Sequence, residues 1–170
     1  MGILTPQFVS RAATLTNLCR HFHIPLQSGC DATLAAMGRK YTAEDYRRAV
    51  SLLRSAMPDC ELTTDILVGF PGETQQAFSA SLAFANDISF LKMHVFPYSR
   101  RPGTVADRLP GQLSSEVKRH RAALMSEMAA RQRRLRLAAR VGSRAEVIVT
   151  ERDTTSPALW QSISREYLPV

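Results

Sequence analysis

Cysteine is scarce in this chain, with only Cys19, Cys30 and Cys60 among 170 residues. They stand 11 and 30 residues apart, so neither C-x-x-C nor C-x-x-x-C-x-x-C occurs. That spacing encodes no metal or cluster motif. An odd number of cysteines argues against a disulfide framework, and all three are expected as free structural thiols. Long apolar runs are also missing. None approaches the ~20 residues that a membrane-spanning helix needs. The opening stretch MGILTPQFVSRAATL has no long apolar core leading to an A-x-A site, so no signal peptide, no membrane partner and a cytoplasmic location are expected. No internal repeat or low-complexity segment interrupts the chain.

What is present suits a folded domain. The hydrophobic fraction is 45%, which is ordinary for a globular protein, and the length allows one sizeable core. The net charge is +7 and it is concentrated. Arg100–Arg140 holds 11 basic and three acidic residues, whereas the remainder holds 11 basic and 12 acidic. Such localised positive charge suits a polyanion, because each cation placed on a phosphate releases counterions. A solvated helix face is the alternative.

The pattern along the first hundred residues alternates between strand and helix. HFHIPLQ (residues 21–27) reads as a short strand ending in a Ser28–Gly29 turn. Asp31 is placed to cap a short helix through Met37. Thr42 opens a capping-box-like T-A-E-D start to a helix with Tyr46, Ala49, Val50, Leu52, Leu53 and Ala56 on one stripe. LTTDILVGF (62–70) is the clearest buried strand. Thr74 can cap a helix carrying Phe78, Leu82, Ala85 and Ile88, and FLKMHVFP (90–97) is a third strand. Strands separated by helices imply parallel pairing with right-handed crossovers. Ligands of such folds sit at the carboxyl ends of the strands, here 27–29, 69–73 and 98–101. Residues 114–140 read as one long cationic helix that Gly142 stops. Residues 144–151 alternate as a strand, Asp153–Pro157 is a turn, and 159–164 is a second strand. Three parallel strands are few, and the first has no partner before it, so additional strands on the amino-terminal side are expected.

Chemistry-bearing residues gather at the expected strand ends. Gln27 and Ser28 are uncharged hydrogen-bonding groups suited to ribose hydroxyls or an amino-acid group. Arg39, in MGRKY, is a cation that can pair with a carboxylate or stand free on the surface. In DILVGFPGET (65–74), Gly69 and Gly72 allow close backbone approach. Glu73 can hold a ligand hydroxyl or simply occupy the first turn of the next helix. In PYSRRPGT (97–104), Tyr98 offers an aromatic face, and Arg100 and Arg101 are adjacent cations suited to phosphate. His21 and His23 share a strand face, but no carboxylate or cysteine in the sequence pattern completes a ligand set. No residue is assigned to catalysis or to a metal.

CRHFHIPLQSG, the M-x-R-K-Y-T run, TTDILVGFPGET and HVFPYSRRPGT together resemble, in order, the radical-SAM tRNA methylthiotransferases (MiaB/MtaB-like). The resemblance covers about residues 15–170. The C-R-H-F-H start, His94 in HVFPYS and the RRPGT loop are most similar to the MtaB type, which acts on N6-threonylcarbamoyladenosine at tRNA position 37. Relatives acting on N6-isopentenyladenosine share RPGT.

The resemblance implies an α/β fold: the last three strands of a radical-SAM partial (β/α) barrel (residues 1–112), a long basic helix (113–141) and the start of a small TRAM-like β-barrel (142–170). It implies S-adenosylmethionine (SAM) and [4Fe-4S] clusters as cofactors, tRNA as partner, and methylthiolation of C2 of adenosine. Carried over by motif, Gln27 and Ser28 would meet the SAM ribose or methionyl part, and Arg39 its carboxylate. Val68, Gly69 and Glu73 would line the adenine side, while Phe96 and Tyr98 would form the last strand-end wall. Arg100, Arg101, Arg131, Arg133, Arg134 and Arg136 would face RNA. The family's cluster triad and first domain are absent from these residues. The chain is therefore expected to be truncated and inactive alone, with a non-catalytic tRNA-binding fragment or a degenerate remnant as other readings.

Overall fold

A computed structural model describes every residue except 1, 3 and 157. Pro157, the end of the expected 153–157 turn, thus lies outside the described residues. The first element, α1 (Pro6–Ala13), was not expected from the sequence. The Thr5 hydroxyl accepts the Phe8 N–H at 3.2 Å, and Pro6 follows that cap in the first helical turn. A capping side chain with proline behind it is a helix-start signature.

Three strands form a parallel sheet in the order β1 (His21–His23), β2 (Glu61–Val68), β3 (Lys92–Pro97). The helices α2 (Asp31–Ala36) and α3 (Ala43–Ala56) connect β1 to β2, and α4 (Gln75–Ile88) connects β2 to β3. The first strand is shorter than the expected 21–27. Pro25 has no N–H to give a ladder, yet the chain rejoins the sheet at Gln27, which bridges Ile66. Thr42 and Asp45 form a complete capping box at the start of α3, with Asp45 in the role usual for Glu or Gln. A short helix, α5 (Val105–Arg108), sits in the loop after β3. The long helix α6 (Ser115–Ala138) spans about 36 Å at 1.5 Å per residue. The antiparallel pair β4 (Val147–Arg152) and β5 (Trp160–Ser164) ends the chain.

Alternation along the strands gives the sheet two different faces. One buries Leu62, Ile66, Val68 and Met93 in the core, together with Tyr46, Leu53, Phe78, Phe90 and Met125 from α3, α4, α6 and the β3 approach. Tyr46 packs edge-on to Phe84 and Phe90 with ring centroids 6.2 and 6.1 Å apart. The other face carries His21, His23, Thr63, Asp65, Lys92, His94 and Phe96 and borders an open cleft. Both β1 and β3 are edge strands.

Candidate functional site

The carboxyl ends of the three strands lie side by side. Register places Leu67 beside Phe96 and Val68 beside Pro97. Beyond β1, Gln27 donates its N–H to the Asp65 carbonyl and accepts the Leu67 N–H, each at 2.9 Å. Gln27 holds φ = 65°, a left-handed conformation unusual for a residue with a Cβ. Tyr98 continues the ladder by donating its N–H to the Val68 carbonyl at 2.8 Å. Gln27, Val68, Gly69, Phe96 and Tyr98 thus form one row. Phe96 is half exposed on the open side, and Val68 is buried.

Ser28 is fully buried, its hydroxyl accepting the Cys30 N–H at 3.2 Å. Its Oγ therefore serves the turn, in contrast to the expected ligand contact. Gly29 donates to the Ser81 hydroxyl, and a Cβ there would stand 2.6 Å from Phe84 Cβ. Arg39 is exposed, with no side-chain ion pair or hydrogen bond among the described residues. Nothing in its contacts joins it to the strand-end row.

Glu73 departs most from expectation. Its side chain is 1% exposed, and Oε2 accepts both the Gly69 N–H at 2.7 Å and Arg121 Nη1 at 2.6 Å. Arg121 also donates to the Glu73 carbonyl at 2.8 Å. The carboxylate is occupied inside the protein and does not present itself to a ligand hydroxyl. Instead it clamps the backbone of Gly69, which holds φ = 75°, and Lys118 Cγ would lie 2.4 Å from a Cβ at that position. The Gly72 N–H meets the Gly111 carbonyl at 2.9 Å. The turn at the end of β2 is therefore built partly by α6 and the loop before it. Only the charge at Arg121 could have signalled this from sequence. Nearby, Tyr98 packs edge-on to Phe70 at 5.4 Å, and its buried hydroxyl has no hydrogen-bond partner among the described residues.

The basic stretch divides by helix face. Arg121, Met125, Met128, Gln132 and Arg136 recur at turns of α6 that face inward. Arg136 donates to Glu61 at 3.0 Å and to the Ser89 carbonyl at 2.9 Å, and Arg140 reaches the same carboxylate at 2.9 Å. Arg136, expected to face RNA, instead directs its guanidinium at the Glu61 carboxylate, which it shares with Arg140, and at the Ser89 carbonyl. Arg100 binds the Asp107 carboxylate at 2.8 Å. Arg101 and Arg134 are exposed, Arg131 reaches Asn86 Oδ1 at 3.2 Å, and Arg133 lines the cleft.

On the open face stands a hydrogen-bonded chain that the sequence pattern does not reveal. Thr63 Oγ1 lies 3.0 Å from both His21 Nε2 and His23 Nδ1, and His23 Nε2 lies 3.3 Å from Asp65. With His23 Nε2–H donating to Asp65, its Nδ1 accepts from the Thr63 hydroxyl, which accepts from His21. Asp65 thus supplies the histidines with a carboxylate from the neighbouring strand. Even so, no three His, Cys, Asp or Glu side chains gather in a metal-binding group among the described residues. Cys19 is exposed, Cys30 half-buried and Cys60 buried.

Parallel strands joined by helices, with a glycine-bearing row at their carboxyl ends, define an α/β protein built on a parallel sheet. Residues 1–85, half of the chain, match the model of the Radical SAM superfamily, and the chain belongs to that superfamily. It is 40% identical over 146 residues to a tRNA-2-methylthio-N(6)-dimethylallyladenosine synthase of Nitratidesulfovibrio vulgaris, covering 86% of this chain and 32% of that protein. A synthase of the same name from Sorangium cellulosum is 42% identical over 150 residues, 88% of this chain and 30% of the relative. The threonylcarbamoyladenosine tRNA methylthiotransferase MtaB of Thermotoga maritima is 46% identical over 112 residues, 66% of this chain and 26% of its own length. The chain spans about a third of the length of the curated relatives it matches.

Proposed function

We propose that these residues form the SAM-facing and RNA-facing part of a tRNA methylthiotransferase that inserts a methylthio group at C2 of an N6-modified adenosine. The observation that carries the reading is the row of Gln27, Val68, Gly69, Phe96 and Tyr98, which gathers residues of three separate motifs at neighbouring strand ends. The unpartnered Tyr98 hydroxyl and the left-handed Gln27 backbone suit a polar ligand there. Gln27 offers its amide to a ribose or methionyl group and half-exposed Phe96 offers apolar contact to adenine, while buried Val68 and Gly69, packed against Lys118, support the row from the core side. When bound, SAM supplies the methyl group and the adenosyl moiety of this chemistry.

A [4Fe-4S] cluster, which the superfamily implies, does not fit the cysteines of this chain. Its three thiols differ in burial and do not gather, so no step through a cluster is derived. The division into barrel strands (1–112), basic helix (113–141) and TRAM-like segment (142–170) belongs to the same reading. Exposed Trp160, with the Arg152 guanidinium 5.0 Å from its ring centroid, suits a stacked RNA base.

The favoured substrate is N6-threonylcarbamoyladenosine. The C-R-H-F-H start, His94 and the RRPGT loop, which resemble the MtaB type, support it, whereas relatives of both kinds match the chain at 40–46% identity. The test is binding of anticodon stem-loops with and without the threonylcarbamoyl group. Tighter binding of the modified loop is expected, and equal affinity overturns the substrate choice. Reconstituted with iron and sulfide, this chain alone is expected to release no 5′-deoxyadenosine from SAM under reducing conditions, and release would refute the misfit with the cluster.

A further inference from the structure

The cleft on the open face of the sheet lies toward the amino-terminal ends of the strands, with His94 at its edge nearest the strand-end row. It has a volume of about 550 Å³ and runs between the sheet and the segment after β5. His21, His23, His94, Lys92 and Arg133 supply its polar wall, and Tyr167 stands at its rim. Among the described residues no Asp or Glu lines it, and Asp65 on the same face is engaged by His23 at 3.3 Å. Lys92 and Arg133 make no side-chain ion pair or hydrogen bond among the described residues, whereas Arg121, Arg136 and Arg140 each hold a carboxylate. Two uncompensated permanent cations beside three imidazoles in a concave site attract an anion.

The aromatic ring at the rim adds shape. Tyr167 stacks on His21 with centroids 5.2 Å apart and planes inclined by 15°. It remains 65% exposed, so its other face is open. Its backbone holds φ = 67°, in the left-handed region. That conformation is sustained by its N–H bond to the Ser164 carbonyl at 2.9 Å, and by Arg165, which ties the segment to the Thr16 and Leu18 carbonyls. Leu91 and Leu168 add apolar floor.

We propose that this cleft seats a nucleoside monophosphate unit. Its phosphate lies between Lys92 and Arg133, its base lies on the free face of Tyr167, and His23 and His94 meet its polar edges. On β3, Lys92 stands four residues before Phe96, about 13 Å at about 3.3 Å per residue, whereas His94 stands two residues, about 7 Å, before it. The phosphate end of the seat is thus the end away from the strand-end row, and the seat uses none of the proposed SAM contacts. The ligand is either a free nucleotide or one nucleotide of an RNA strand.

Calorimetric titration of the whole chain with AMP, inorganic phosphate and a short oligoadenylate tests the seat. AMP is expected to bind, and to bind equally in saturating SAM. Lys92→Gln with Arg133→Gln should weaken AMP at least about tenfold. Tyr167→Leu should weaken AMP while leaving phosphate unchanged. Oligoadenylate binding tighter than AMP identifies RNA as the source, and equal affinity identifies a free nucleotide. Should the double variant fail to fold, Lys92→Gln and Tyr167→Leu, both at exposed positions, carry the same test. The proposal is overturned if neither AMP nor oligoadenylate binds, if the charge variants leave binding unchanged, or if phosphate binds as tightly as AMP. A chain that binds AMP through Lys92 and Arg133 but not SAM would overturn the proposed function and leave the seat standing.

Discussion

Arg121 and Glu73 show how one buried pair of residues can shape the turn at a strand end from inside the protein. Both side chains are almost fully buried, and the carboxylate also takes the Gly69 N–H. Removing one partner leaves a buried charge uncompensated, which costs about 3–5 kcal/mol. Arg121→Ala should therefore lower unfolding stability by that amount in urea titration, and Glu73→Gln should lower it in the same direction. His21 gives a residue-scale pH dependence. Burial first, and then the neighbouring His23, push its imidazole below the ordinary value of 6.5, with Glu61 opposing. The unfolded chain takes up this proton more readily than the folded one. The stability His21 contributes is complete above the unfolded value and is lost as pH falls below it. Thermal midpoints should drop on acidification from about pH 7.5 to about pH 5.5, and His21→Gln should flatten that drop.

At the scale of elements, α3 depends on its cap and α6 on its two faces. Thr42 and Asp45 exchange hydrogen bonds across the first turn of α3, so Thr42→Ala should cost about 1 kcal/mol in the same urea titration. Most strands and helices were legible because apolar spacing and capping residues coincide: Thr42 and Thr74 each cap a helix as expected, whereas Asp31 stands inside the first turn of α2 and its carboxylate accepts the Ala43 N–H instead. The first helix escaped because it is short and only Val9 and Ala12 are buried. The inward face of α6 escaped for a different reason. Arg121 and Arg136 look like surface cations in a row of arginines, and their partners Glu73 and Glu61 lie 48 and 75 residues away. Sequence spacing reports neighbours along a helix, not carboxylates brought from another strand. The histidine chain was half legible. His21 and His23 alternate visibly, but Thr63 and Asp65 join them only through the register of β1 on β2.

Across the whole molecule, the polar chemistry separates into three regions: the strand-end row, the exposed arginines of α6 with the β4–β5 pair, and the cleft between them. If Arg101, Arg131 and Arg134 meet RNA phosphates, affinity for an anticodon stem-loop should fall steeply with salt. The triple replacement by Gln should reduce the slope of log K against log salt by roughly 0.7–0.9 for each phosphate that is no longer neutralised. A slope unchanged in that variant would place the RNA elsewhere. The most direct test of the account is equilibrium binding of SAM to the purified chain and to its Gln27→Ala and Phe96→Ala variants. Saturable binding that weakens at least about tenfold in each variant is predicted. No binding, or binding that both replacements leave unchanged, would contradict the assignment of the strand-end row to SAM.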